Sequence, residues 1–103
     1  MDKLLQVKLD DLIKQSKVVL FMKGNPEEPM CGFSSTAVAI LVESWVYFET
    51  FDILLDEEVR QWLKEYKNWP TFPQLYIEGE LIWGVDIMQE IYDEGEFEQY
   101  KQV

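Results

Sequence analysis

Val18-Val19-Leu20-Phe21-Met22-Lys23-Gly24-Asn25-Pro26-Glu27-Glu28-Pro29-Met30-Cys31-Gly32-Phe33-Ser34 runs from a continuous apolar segment, through a loop, to the one cysteine of the chain. Val18 to Met22 is of strand length. A strand apolar on both sides belongs in the middle of a sheet covered by helices. The Gly, Asn and Pro content of 23–30 marks a loop, which delivers Cys31 to the start of the next helix. There, unpaired backbone N–H groups and the helix dipole favour the thiolate and bring a cysteine down from its ordinary pKa of about 8.5. Lys23 adds a positive charge nearby, Gly32 lets another molecule approach the backbone, and Ser34 is placed to cap the helix. Spacing alone leaves two readings open: a reactive thiolate, or an inert cysteine packed as a small hydrophobe.

Working outward, Asp2 to Gln15 places Leu4, Leu5, Leu9, Leu12 and Ile13 at helical spacing, a surface helix with one apolar face. Ser34 to Ser44 reads as a helix and Val46 to Ile53 as a strand. Asp56 to Lys67 is helical, with Asp56 as N-cap and Glu57 and Glu58 in the first turn, where the dipole favours acids. Phe72 to Ile77 and Glu80 to Trp83 flank the hairpin turn Glu78-Gly79. Asp86 to Tyr92 is a further helix and Glu96 to Lys101 a short last one. A helix crossing between the first two strands makes them parallel, and the hairpin adds antiparallel edges. The expected fold class is α/β: a four-stranded mixed sheet with helices on both faces, in one domain covering residues 1–103.

The chain has 103 residues, 48% of them hydrophobic and 15% aromatic, enough for one core and too few for two ordinary domains. Its longest apolar run, Ala37 to Val42, is far shorter than the roughly 20 residues that span a bilayer, so no membrane is expected. The N-terminus lacks the basic-then-apolar pattern of a secretion signal. Nine basic against twenty acidic residues give a net charge of −11, which repels phosphate backbones and argues against nucleic acid. A lone cysteine forms no internal disulfide and suits a reducing compartment, here expected to be the cytoplasm, with a mature organellar form left open. With no histidine, imidazole catalysis and imidazole metal ligation are excluded. Asp93-Glu94-Gly95-Glu96 reads as a solvated turn rather than a metal site, and Trp69 beside Pro70 as core or rigid loop.

Phe21-Met22-Lys23-Gly24, Cys31-Gly32-Phe33-Ser34, Asp56-Glu57-Glu58-Val59-Arg60-Gln61, Trp69-Pro70-Thr71-Phe72-Pro73-Gln74-Leu75-Tyr76 and Gly79-Glu80-Leu81-Ile82 occur in this order along the chain. Together they resemble the motifs of the monothiol (CGFS-type) glutaredoxins, from about Lys17 to the end. The resemblance implies a thioredoxin-like fold with Cys31 as its thiolate and Ser34 in place of the second cysteine of dithiol relatives. It implies that glutathione is held by Lys23 and Arg60, by the Thr71-Phe72-Pro73 segment with a cis proline, and by Val85 and Asp86. It also implies a [2Fe–2S] cluster between the two subunits of a homodimer, with one thiolate from Cys31 of each subunit and one from each of two glutathiones. Enzymatic activity implied in this way is at most weak glutathione-dependent oxidoreduction.

The chain departs from the family at Trp45, Trp62 and Trp83, where glycine is usual. An indole at 83, beside Gly84, stands next to the expected glutathione groove. Ser35, Ala39 and Val42 form a second side of the helix after Cys31 and lead toward Trp45, while Ala37, Ile40 and Leu41 suit the core. An exposed apolar stripe with tryptophans marks a binding surface more often than an accident, the alternatives being an internal contact under an extra helix or natural drift. The alternative function is therefore an engineered glutaredoxin scaffold whose surface, through Ala39, Val42, Trp45, Trp62 and Trp83, binds a designed protein partner or a second copy of itself.

Overall fold

The computed structural model describes residues 3–66, 71–82 and 84–101. Val18–Met22 forms β1, and all five residues are buried. Val18, Leu20 and Met22 point into one apolar cluster, with Ala37, Leu41 and Met88. Val19 and Phe21 point into a second, with Leu9, Ile13, Val59 and Leu63. A strand that is apolar on both sides therefore receives a layer on both sides, and its place in the sheet is interior. The strand order is β2-β1-β3-β4, where β2 is Glu49–Asp52, β3 Gln74–Ile77 and β4 Glu80–Leu81. β2 is parallel to β1, with Phe21 opposite Phe51, whereas β3 is antiparallel to β1, with Leu20 opposite Leu75. Phe21 packs edge-on against Tyr76 with ring centres 5.5 Å apart and tilted against Phe51 at 5.8 Å, which joins three strands on one face.

Helices α1 (Lys3–Ile13) and α3 (Glu57–Tyr66) cover one face, and α2 (Gly32–Glu43) and α4 (Val85–Asp93) the other. This is the thioredoxin-like arrangement expected from the sequence. None of the described helices is long and apolar enough to cross a membrane.

The differences from expectation are local. α1 buries Leu5, Leu9 and Ile13, whereas Leu4 is 80% exposed and lies off the inward stripe. The strand expected over 46–53 is shorter. Val46 makes an isolated bridge with Lys101, and Ile53–Leu55 coils into a 3₁₀ turn because the Asp52 carboxylate accepts the Leu54 N–H at 2.9 Å. The first hairpin strand begins only at Gln74, after a cis Phe72–Pro73 bond. In the turn, Glu78 (φ +51°) and Gly79 (φ +84°) are both left-handed, as a two-residue type I′ connection requires. The last short helix is 3₁₀, over Glu96–Tyr100. Trp69, Pro70 and Trp83 lie outside the described residues.

Asp56 caps α3 as expected: its carboxylate accepts the Val59 N–H at 3.1 Å and pairs with Lys8 of α1 at 2.8 Å. The Lys8 ammonium, then the Val59 N–H, hold its pKa below the ordinary aspartate range. At its other end, α2 closes in a Schellman turn. The Trp45 N–H donates to the Val42 carbonyl at 3.1 Å and the Val46 N–H to the Leu41 carbonyl at 3.4 Å. This turn puts Trp45 at φ +58°, a conformation in which a side chain crowds the backbone, and the indole is 72% exposed.

Two outcomes follow for equilibrium unfolding in urea. Trp45→Gly relieves the left-handed strain and gives up little packing, so it stabilises the chain by about 1 kcal/mol. Asp56→Ala removes the cap and destabilises by about 1 kcal/mol near neutral pH. Because the folded-state pKa of Asp56 is depressed, its contribution is present above the unfolded aspartate value of about 3.9 and is lost as pH falls through the lower folded value. The difference between wild type and Asp56→Ala therefore shrinks in acid.

Candidate functional site

The loop between β1 and α2 is pinned at both ends. The Lys23 N–H donates to the Ser34 hydroxyl at 3.1 Å, and the Met30 N–H donates to the Lys23 carbonyl at 2.8 Å. The Gly24 N–H donates to the Asp52 carboxylate at 3.0 Å, so the residue that starts the 3₁₀ turn also anchors the thiol loop. Gly24 has φ +90°, and a Cβ there would lie 2.4 Å from the Glu28 carbonyl oxygen, so the loop folds over it only because it is glycine. Ser34 differs from expectation. α2 begins two residues earlier than read, at Gly32, with Cys31 itself in the extended N-cap position. Ser34 thus sits in the first turn, fully buried, and its hydroxyl ties the helix to the end of β1 rather than capping it.

At the N-cap the Cys31 sulfur is partly exposed and faces the helix's free donors. The Ser34 backbone N–H is the largest influence lowering its pKa, opposed by partial burial. The Phe33 N–H, the Lys23 charge and the Ser34 hydroxyl lower it further. The net effect holds the partly exposed thiol below its ordinary range, an environment that favours the thiolate.

Cys31 opens onto a cavity of about 790 Å³. Lys23, Arg60, Thr71, Phe72, Pro73, Val85 and Asp86, picked out separately along the sequence, all line it. Lys64 lines it too, a residue the sequence reading missed. Its position four residues after Arg60, on the same side of α3, was the available signal. Among the described residues, three of the nine basic side chains of an acidic chain thus line the cavity onto which the thiol opens. The Arg60 Nε is buried with no hydrogen-bond partner among the described residues, and its terminal nitrogen reaches the Glu57 carboxylate only at 3.7 Å. A buried guanidinium donor left over in this way is suited to an incoming carboxylate. Behind the 71–73 segment, the Tyr76 hydroxyl donates to the Gln74 side-chain carbonyl at 3.1 Å, and the Gln74 amide donates to the Thr71 carbonyl at 3.3 Å. Burial pushes the Tyr76 phenol far up, so it stays a neutral donor and the cavity wall rests on a buried polar chain.

The proposed tryptophan surface is not continuous. Ala39, Val42 (58% exposed) and Trp45 do lie open on the outer side of α2. Trp62 does not join them. It is on α3, half-buried against the cluster on the opposite face of the sheet, because the inward stripe of α3 carries it there with Val59 and Leu63. Trp83 lies outside the described residues.

Residues 18–82 match the family described as Glutaredoxin. The chain is 54% identical over 92 residues to human glutaredoxin-3, covering 89% of this chain and 28% of that protein. It is 56% identical over 92 residues to monothiol glutaredoxin-S17 of Arabidopsis thaliana, covering 89% and 19%. It is 53% identical over 91 residues to probable monothiol glutaredoxin 2 of Rickettsia typhi, covering 88% and 82%. The chain therefore spans less than a third of the length of the first two relatives. Among solved structures it resembles reduced poplar apo GrxS14, with a TM-score of 0.77 and 52% identity over 92% of this chain and 87% of that one. With the matched segment running from β1 through the thiol loop and α3 to the hairpin, the chain belongs to the glutaredoxin family.

Proposed function

We propose that the cavity beside Cys31 binds glutathione and that Cys31, with glutathione, holds a [2Fe–2S] cluster between two copies of the chain, for cluster transfer or redox use. The observation that carries the reading is the meeting of a thiolate-favouring N-cap with Lys23, Arg60 and Lys64 around one cavity. Glutathione carries two carboxylates and a thiol. The Arg60 guanidinium, whose Nε has no partner among the described residues, and the Lys23 ammonium are suited to one carboxylate. The start of α4, at Val85 and Asp86, offers backbone N–H groups to the other end of the tripeptide. The Thr71-Phe72-Pro73 wall offers main-chain groups to its middle. Glutaredoxins as a family support glutathione as the ligand, as does the fold shared with a buckwheat glutaredoxin–glutathione complex.

The donor set fits a shared cluster and not a private one. The chain has a single cysteine and no histidine, and among the described residues no three metal-ligating side chains converge. Four thiolates then require Cys31 from each of two subunits and two external thiols, which glutathione supplies. The bound cluster would supply one-electron or transferable iron–sulfur chemistry. The part played by the chain is to keep Cys31 ionised and to orient glutathione. Without a second cysteine, a disulfide at Cys31 has to be made with an external thiol. In that case the thiolate attacks the glutathione sulfur of a mixed disulfide and releases the substrate thiolate. A second glutathione thiolate then regenerates Cys31 and leaves as glutathione disulfide.

Anaerobic reconstitution with iron, sulfide and glutathione is expected to give a coloured dimer that Cys31→Ser cannot form. A colourless monomer from the wild-type chain would sink the cluster reading. Arg60→Gln is expected to weaken glutathione binding about tenfold or more, the loss of one charge-assisted carboxylate contact, as read by calorimetry. Alkylation of Cys31 by iodoacetamide is expected to rise with pH to a plateau whose midpoint lies below about 8.5. Lys23→Ala moves that midpoint upward, since the lysine charge favours the thiolate.

A further inference from the structure

The ends of α2 and α4 meet in a groove that carries an excess of negative charge. Glu43 and Trp45 from the end of α2, Tyr92 and Asp93 from the end of α4, and Glu98 and Lys101 beyond them line a cavity of about 400 Å³. It shares no lining residue with the cavity at Cys31. Both helices point the negative end of their dipole toward this space, and neither has a basic residue in its last turn to offset it. Glu43, Asp93 and Glu98 add three carboxylates. Against them stands Lys101, already 3.5 Å from Glu98. Two aromatic surfaces complete the wall, Trp45 at 72% and Tyr92 at 38% exposed. Aromatic faces attract cations, most strongly an arginine guanidinium over indole.

We propose that this groove docks an arginine or lysine side chain from a basic segment of a partner protein. Charge complementarity selects the occupant. The space holds helix C-termini, carboxylates and ring faces, all of which favour a cation carried on an apolar stem. A bare metal ion is disfavoured, because no three His, Cys, Asp or Glu side chains converge among the described residues. The net charge of −11 steers a basic segment toward the chain, and the groove gives it a place to stop. The proposal stands independently of glutathione or cluster binding, since it uses none of those residues.

The test titrates the isotope-labelled, reduced full chain with a capped glycine–arginine pentapeptide carrying two arginines, at about 150 mM salt to screen diffuse attraction. Saturable shifts are expected in the resonances of 43–45 and 92–98. Trp45→Gly, a variant expected to be at least as stable as the parent, should weaken binding about tenfold, as should Glu43→Gln combined with Asp93→Asn. Glu27→Gln combined with Glu80→Gln makes the same change in net charge elsewhere and should stay within about twofold. Shifts spread over the acidic surface, equal effects of the two double variants, or no saturable binding would each overturn the proposal.

Discussion

Strand β1 has no face to give to water. Val18 to Met22 are buried without exception, and the alternation of a strand sends three of them to one side and two to the other. Each fully buried residue of this size is stabilised by about 1.5–3 kcal/mol relative to exposure, so leaving either side bare would cost most of the stability of a domain this small. Two helical layers are the consequence, and so is the interior place of β1 between β2 and β3. The site inherits its geometry from that requirement. The chain leaves β1 at Lys23, and α2 must return to cover the same strand. Cys31 is therefore carried to the N-terminus of a helix packed directly on the sheet.

Hydrogen bonds convert this layout into chemistry. Ser34 and Asp52 each bind the backbone of the loop just after β1, one from α2 and the other from the end of β2. They hold the loop so that the first free N–H groups of α2 face the sulfur. The chain is strongly acidic overall, yet among the described residues three cations line the cavity at Cys31, two of them from one side of α3. Local charge and global charge differ in sign, which favours an anionic ligand at Cys31 in a protein that otherwise repels anions.

The end of α2 shows a different balance. A left-handed tryptophan costs about 1 kcal/mol, small beside the 5–15 kcal/mol that holds a typical domain together, so the fold tolerates it. Its effect falls instead on the surface: an exposed indole stands beside carboxylates at two converging helix ends, far along α2 from the thiol.

From the sequence alone, the apolar run of β1, the helical stripe of α1, the Asp56 cap and the Glu78-Gly79 turn were all legible, because each depends on neighbours within one or two turns of chain. The motifs around Cys31, Arg60 and Thr71 also marked residues that line one cavity. Three things needed the tertiary structure. Ser34 reads as a cap in sequence, but its hydroxyl is taken by the Lys23 backbone eleven residues away. Trp62 reads as part of a surface stripe, but the rotation of α3 turns it against the opposite face of the sheet. The groove between α2 and α4 arises only when separate elements come together. Local periodicity and capping are properties of the chain, whereas the contents of a cavity depend on how elements distant in sequence pack across the sheet.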